Sequence, residues 1–278
     1  MQVSRKYTKW IAFIILVIVS LYIVFPIAVV VMNSFKSRLF ISNEPFALPN
    51  ETTFVGLTNY TQGLAKTGFF SAFGYSLWIT IASVFFILLC TSMLAWYITR
   101  VRGIATSIIY YLLTFSMIVP FQMVMFTMSK FANMLGIDNP VGIIILYVGF
   151  GCGMATFMFS GFIKSIPLAL EEAAMIDGAN PVKTFFLIVL PMLKSTAITI
   201  AILETMWVWN DYLMPYLTIG TEYRTIPVAI QYLRGGYGSV DMGAMMAMLF
   251  LAMLPVIIFY LACQKYIIKG VLAGAVKG

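Results

Sequence analysis

Six apolar runs, each about as long as a membrane crossing, divide this chain, and polar stretches join them. They cover roughly residues 10–32, 76–98, 106–128, 142–162, 196–217 and 243–263. A helix needs about 20 mostly apolar residues to cross a bilayer. Lipid offers the backbone no hydrogen-bond partner, and none of the runs alternates as a barrel strand would, so each is predicted to be a helix. The first run is too long for the core of a signal peptide, and no A-x-A-like site follows it. It is expected to stay as an uncleaved anchor, bent at Pro26.

Charge orients the helices, because Lys and Arg gather in cytoplasmic loops. Arg5, Lys6 and Lys9 precede the first run, and Arg100 and Arg102 fill the turn after the second. Lys164, Lys183 and Lys194 lie between the fourth and fifth, and Lys265, Lys269 and Lys277 follow the sixth. The opposite side carries Lys36, Arg38, Lys66, Lys130, Arg224 and Arg234. Eleven against six puts both termini in the cytoplasm and makes residues 33–72 a long extracellular loop. The net charge of +7 is then a matter of topology, and no nucleic acid is implied as a partner.

Composition narrows the class. Only 10% of the residues are charged, against about a quarter in a soluble domain. A chain this poor in charge cannot cover a water-facing shell, so residues 1–278 are expected to form a single transmembrane domain. There is no histidine, and Cys90, Cys152 and Cys263 stand far apart, so no zinc spacing or disulfide framework exists. No G-x-x-x-x-G-K-[ST] loop occurs, and none of the ten acids forms a close pair in a polar pocket that would suggest hydrolysis. Neither an enzyme nor a metal site is expected here.

The segment 165–191, between the fourth and fifth runs, holds the densest local signals. Ser165 and Pro167 read as a helix start, with proline in the first turn where its missing N–H costs nothing. Gly178 supplies a left-handed stop. The helix between them has about ten residues, too few to be stable alone in water. Asn180-Pro181 starts a second helix, expected to end near Leu190-Pro191. Ala169, Ala173 and Ala174 give the first helix a small-residue face. It is read either as a connection resting on its own membrane helices or as an element that docks on a partner.

Glu172-Ala173-Ala174, three residues, Gly178, nine residues, then Ile188-x-Leu190-Pro191 resembles the E-A-A-x3-G-x9-I-x-L-P signature of binding-protein-dependent ABC transporter permeases. Asn33-Ser34-Phe35-Lys36, Trp209-Asn210-Asp211 and the terminal Gly270-x3-Gly274-Ala275-Val276-Lys277-Gly278 are similar to the sugar-uptake branch. They resemble the shorter, maltose-type permease subunit, over essentially the whole chain. One departure is Gly151-Cys152-Gly153, where a proline would follow the first glycine and kink the fourth helix.

The resemblance implies an all-α integral membrane protein of the type I ABC importer permease fold. It would have six transmembrane helices and a cytoplasmic coupling helix between the fourth and fifth. Its segment 165–191 would sit in a cleft of an ATP-binding subunit, with Glu171, Glu172, Ala173, Ala174, Asp177 and Gly178 at the contact. The implied partners are a second homologous permease, an ATP-binding subunit dimer, an extracellular solute-binding protein, the lipid bilayer and a sugar, most of all an oligosaccharide. ATP and Mg would be used by those partner subunits, with no cofactor in this chain, in a bacterial cell membrane. The alternatives are a permease for another delivered solute, such as a sugar phosphate, and a stand-alone secondary transporter.

Two further groups carry open readings. Glu204 and Asp211 lie seven apart in the fifth run, on nearly one helix face, with Trp207 and Asn210 nearby. A charge at mid-membrane costs about 2.5–3.5 kcal/mol, so these acids should face protein or water. They read either as a polar translocation route, with Gln122 in the third run, or as hydrogen-bonding glue between helices. Gly235, Gly236, Tyr237 and Gly238 read either as a surface turn or as a tip that reaches the docked binding protein.

Overall fold

The structure is a computed structural model and describes residues 2–220, 222–233 and 240–275. Among them there is no strand, and an isolated bridge joins Lys36 to Phe54. The helices are α1 (Gln2–Asn33), α2 (Arg38–Asn43), α3 (Thr58–Thr67), α4 (Phe69–Arg100), α5 (Ile104–Ser116), α6 (Phe121–Met134) and α7 (Gly142–Ile163). They continue as α8 (Leu168–Ile176), α9 (Pro181–Thr184), α10 (Leu190–Met192), α11 (Lys194–Asn210), α12 (Leu213–Thr218), α13 (Ile226–Gln231) and α14 (Met242–Ala275).

Within the described residues, four helices (α1, α4, α7 and α14) are long and apolar enough to cross a membrane unbroken. Two bent pairs raise the number to six if each is one span. The third run, expected as one helix, breaks between α5 and α6 with a bend of 107°. Pro120 is the cause: it has no N–H to give the preceding turn and drives the residue before it out of the helical region. It ends as the N-cap of α6, with φ −63° and ψ 136°. The fifth run also departs from one continuous helix. Its helix, α11, stops at Asn210 because Asp211 turns extended, and the stretch ending at Met192 meets α11 ahead of the run at a bend of 74°. The first run holds its helix through Pro26.

The chain divides into two compact units, one of Met1–Phe70 with Ala229–Pro255, the other of Ser71–Val228 with Val256–Gly278. In the first, the Asn33–Lys36 stretch is a buried lock, and the segment after it is a folded pair of helices where a long loop was expected. Asn59 Nδ2 donates to the Ser34 and Lys36 carbonyls at 2.8 Å each, and the Ser34 hydroxyl meets Tyr60 Oη at 2.7 Å. Buried Lys36 reaches the Glu44 carbonyl at 2.9 Å. Asp241 immediately precedes α14 and pairs with Lys66 of α3. Partial burial would push its carboxyl up, but the Lys66 ammonium, the Ala244 N–H and Arg38 together hold it below the ordinary aspartate value.

In the second unit α7 packs against α5 and α11. Lipid tails are as apolar as leucine, so helices in a membrane associate through close packing, which small residues permit. Gly151 and Gly153 supply that. A Cβ at Gly153 would lie 2.6 Å from the Leu113 carbonyl oxygen of α5, and one at Gly151 would lie 2.7 Å from Ile87 Cδ1 of α4. The stretch where a proline kink was in question is therefore an uninterrupted helix gripped from two sides. Two buried clusters fill the unit, one around Ile79, Tyr147 and Val208, the other around Ile87, Phe159 and Phe185.

Candidate functional site

The chain leaves α7 at Ile163 and rejoins a membrane helix at Lys194. Ser165 serves the end of α7, not the start of α8: its hydroxyl donates to the Phe162 carbonyl at 2.6 Å. Pro167 itself takes the N-cap position, with φ −59° and ψ 128°. The stop is as expected. Gly178 has φ +85°, its N–H donates to the Met175 carbonyl at 3.1 Å, and the Ala179 N–H donates to the Ala174 carbonyl at 2.9 Å. Those two bonds close the last carbonyls of α8 in the manner of a left-handed glycine cap.

Asn180 then caps α9, its Oδ1 accepting from the Lys183 N–H at 2.8 Å, with Pro181 in the first turn. The helix runs on through a wide π turn, Phe185–Val189, to Met192. Pro191 explains the widening, since its ring crowds the carbonyl four residues back and it has no N–H to offer.

One side chain ties α8 to the rest of the unit. Glu171 is the single fully buried residue of the helix, 1% exposed. Its Oε2 accepts from Trp96 Nε1 at 2.9 Å. Its Oε1 accepts from Arg100 Nε at 2.9 Å and Nη2 at 2.7 Å, and Nη2 also donates to the Ile166 carbonyl at 3.1 Å. Trp96 and Arg100 lie one turn apart at the end of α4, so α8 is clamped to that helix. Lone pairs met in this way offset the cost of burying an ionised carboxylate.

The remainder of α8 faces outward. Glu172, Ala173 and Asp177 are exposed, and Ala174 is half-buried. Leu168, Leu170 and Met175 are exposed as well, and Ile176 is 86% exposed. Glu171 and Glu172, grouped together by sequence, thus point to opposite tasks: one faces its own chain and the other faces away from it.

The second polar group lies between α7 and α11. Glu204 is buried against Gly151, and neither of its carboxylate oxygens has a hydrogen-bond partner among the described residues. Asp211, just past the end of α11, accepts from Tyr147 Oη at 3.0 Å and from the Leu213 N–H at 2.9 Å. The Tyr147 ring stands edge-on to Trp207, with centroids 5.4 Å apart. Both acids therefore do face one side, that of α7. Asn210 is exposed and donates to the Met206 carbonyl at 2.7 Å. Gln122 is exposed near the start of α6. Gly235, Gly236, Tyr237 and Gly238 lie outside the described residues.

Sequence reasoning missed Trp96, Arg100 and Tyr147 as members of these groups. A Trp-x-x-x-Arg pair at the end of an apolar run was the available signal for the clamp; Arg100 had been read as topology alone.

The binding-protein-dependent transport system inner membrane component family matches residues 88–272, which include the clamp, α8 and the α7–α11 pair. The chain belongs to this family. Over 282 residues, all of both chains, this permease is 36% identical to the multiple sugar-binding transport system permease protein MsmG of Streptococcus mutans. It is 31% identical over 227 residues to the melibiose/raffinose/stachyose import permease protein MelC of Bacillus subtilis, covering 81% of this chain and 82% of that one. A chain in the crystal structure of a bacterial ABC transporter involved in the import of the acidic polysaccharide alginate matches with a TM-score of 0.78. That match covers 95% of this chain and 97% of the other at 22% identity, which speaks for the fold alone. This permease is a multi-pass transport subunit with the ABC importer permease fold.

Proposed function

We propose that this permease is one of two related membrane subunits of an ATP-driven sugar importer, and that its cargo is an oligosaccharide. It forms half of the translocation pathway. A solute-binding protein delivers the sugar from outside, and two ATP-binding subunits, which use ATP and Mg, drive the cycle from the cytoplasm. Both termini and the segment 165–191 lie on the cytoplasmic side, in keeping with the Lys and Arg balance. The sugar preference is supported by the named cargoes of MsmG and MelC.

The observation that carries the reading is α8: a short helix clamped through Glu171 and presenting Leu168, Met175, Ile176 and Glu172 to the outside. An exposed apolar patch rimmed by charge marks a protein-contact surface. ATP-driven closure of the bound subunits pushes α8, and the clamp passes that movement into α4. Within the membrane, Trp207, Asn210 and Asp211 are the better candidates for the route, because Trp207 and Asn210 are exposed in this chain and Asp211 is only partly buried. Glu204 is instead buried against Gly151 of α7.

The test is ATP-dependent uptake of labelled oligosaccharides into vesicles holding the assembled transporter, with wild-type permease and with Glu172→Lys. Loss of uptake in the variant, with the subunit still inserted, supports the reading. Uptake that persists without the ATP-binding subunits makes the chain a secondary transporter and overturns it.

A further inference from the structure

Where α4 ends, α5 begins and α7 ends, the second unit holds a cavity of about 540 Å³. Its wall includes Arg100 from the end of α4, Arg102 from the turn after it, Ser107 and Tyr110 from α5, and Ser160 and Lys164 from the end of α7. No acid lines it. The Arg100 guanidinium is already committed to Glu171, which leaves Arg102 and Lys164 as the cations available to a ligand. Lys164 Nζ sits 5.6 Å above the Tyr110 ring, which holds the ammonium at the cavity without neutralising it.

Two sets of donors converge on the same space. Ser160 is 1% exposed, and its hydroxyl has no hydrogen-bond partner among the described residues. A buried hydroxyl without a partner in a native fold calls for an explanation, and a ligand that accepts its proton is one. The Ser107 hydroxyl is not free in this way, since it donates to the Gly103 carbonyl at 2.9 Å. The other set is the first turn of α5, whose N-cap Gly103 offers no side chain to the free backbone N–H groups. Such a helix start favours anions, phosphate among them.

The cavity also lies at a particular depth. It sits at the ends of apolar membrane helices, the level at which lipid phosphates are found, and Tyr110 and Tyr111 flank it as interfacial aromatics do. We propose that this pocket binds the phosphate of an anionic phospholipid headgroup, held by Arg102, Lys164, the Ser160 hydroxyl and the start of α5. Basic pockets between membrane helices are suited to such headgroups. Because Arg100 forms the shared wall of this pocket and of the α8 clamp, a bound lipid would brace the joint between α4 and the coupling segment. The inference rests on the membrane placement of α4, α5 and α7 and not on the cargo.

The test uses the assembled transporter and phosphatidylglycerol, read by native mass spectrometry without any transport measurement. One surface cation is worth about fivefold in binding anionic lipid, so Arg102→Gln and Lys164→Gln should each lower lipid retention about fivefold, and the pair about 25-fold. Ser160→Ala should lower it with both cations present. Co-purification of the partner subunits verifies that each variant has folded. A second arm needs no variant: phosphatidylglycerol should protect Lys164 of the wild-type protein from an amine-reactive label, and phosphatidylcholine should not. If inorganic phosphate protects Lys164 and phosphatidylglycerol does not, the lipid source is overturned. Unchanged retention in the intact double variant, or equal labelling of Lys164 with and without either probe, overturns the site.

Discussion

Arg100 holds Glu171 with two nitrogens on one oxygen: Nε and Nη2 lie 2.9 and 2.7 Å from Oε1. The carboxylate is 1% exposed and the guanidinium side chain 19%. The pair joins the end of a membrane-spanning helix to a nine-residue helix that buries nothing else completely. One side chain, Glu171, therefore ties α8 to the end of α4, through Arg100 and Trp96.

Arg100→Gln should uncouple them. Removing one partner of a buried pair costs about 3–5 kcal/mol, because the other charge is left without compensation. That cost falls on the seating of α8 and not on the membrane helices. The expected outcome is normal insertion, faster proteolysis within 168–183 and loss of ATP-driven uptake. Trp96→Phe removes one hydrogen bond to a charged group, about 1.5–3 kcal/mol, and should give a milder form of the same defect.

Gly178 tests the helix stop by conformation alone. A Cβ there meets nothing within 4 Å, so any penalty comes from φ +85°. The left-handed region costs an L-residue about 1–2 kcal/mol, least for asparagine and most for a β-branched side chain. Pull-down of the ATP-binding subunits should weaken in the order Gly178→Asn, Gly178→Ala, Gly178→Val. Equal recovery with all three would remove the stop from the docking account.

Gly151 tests the packing of α7. The Cβ of Gly151→Ala would press on Ile87 Cδ1 at 2.7 Å and on Glu204 Oε2 at 3.0 Å. Overpacking of this kind costs about 1–3 kcal/mol. The melting temperature of the solubilised permease should fall, and Ile87→Val, which deletes the clashing carbon, should restore part of it. A double variant no better than Gly151→Ala would show that the close approach lies elsewhere.

Acid should act on the first unit through Asp241. Its carboxyl is held below the ordinary value in the folded state, so its contribution to stability is full above the unfolded value of about 3.9. The contribution is lost as the pH falls from there through the lower folded value. Wild type should melt above Asp241→Asn at pH 7, and the gap should close as the pH drops below about 4. A gap independent of pH would assign the difference to packing.

The parts of this design legible in the sequence are those fixed by local chemistry. Gly178 and Asn180-Pro181 announce a left-handed stop and a capped restart, and each forms as read. The apolar runs likewise mark the spans, since length and composition settle whether a helix can cross a bilayer. Direction within a run is another matter. Hydropathy does not register the turn at Pro120 or at Asp211, so the third and fifth runs read as straight helices and fold as broken ones. The different tasks of Glu171 and Glu172 were also hidden, because Arg100 lies 71 positions from Glu171 and only the fold brings them together. Tyr147 escaped notice for the same reason, as one aromatic in an apolar helix until Asp211 arrives beside it.

The central claim is that the outer face of α8 is covered by an ATP-binding subunit, and Ile176, at 86% exposure, is its most direct probe. Ile176→Cys, introduced after replacing Cys90, Cys152 and Cys263, can be labelled with a membrane-impermeant maleimide in inside-out vesicles. A side chain in the core of an interface is shut off from water, so adding the ATP-binding subunits should slow labelling at least about tenfold. An equal labelling rate with and without bound subunits would contradict the account.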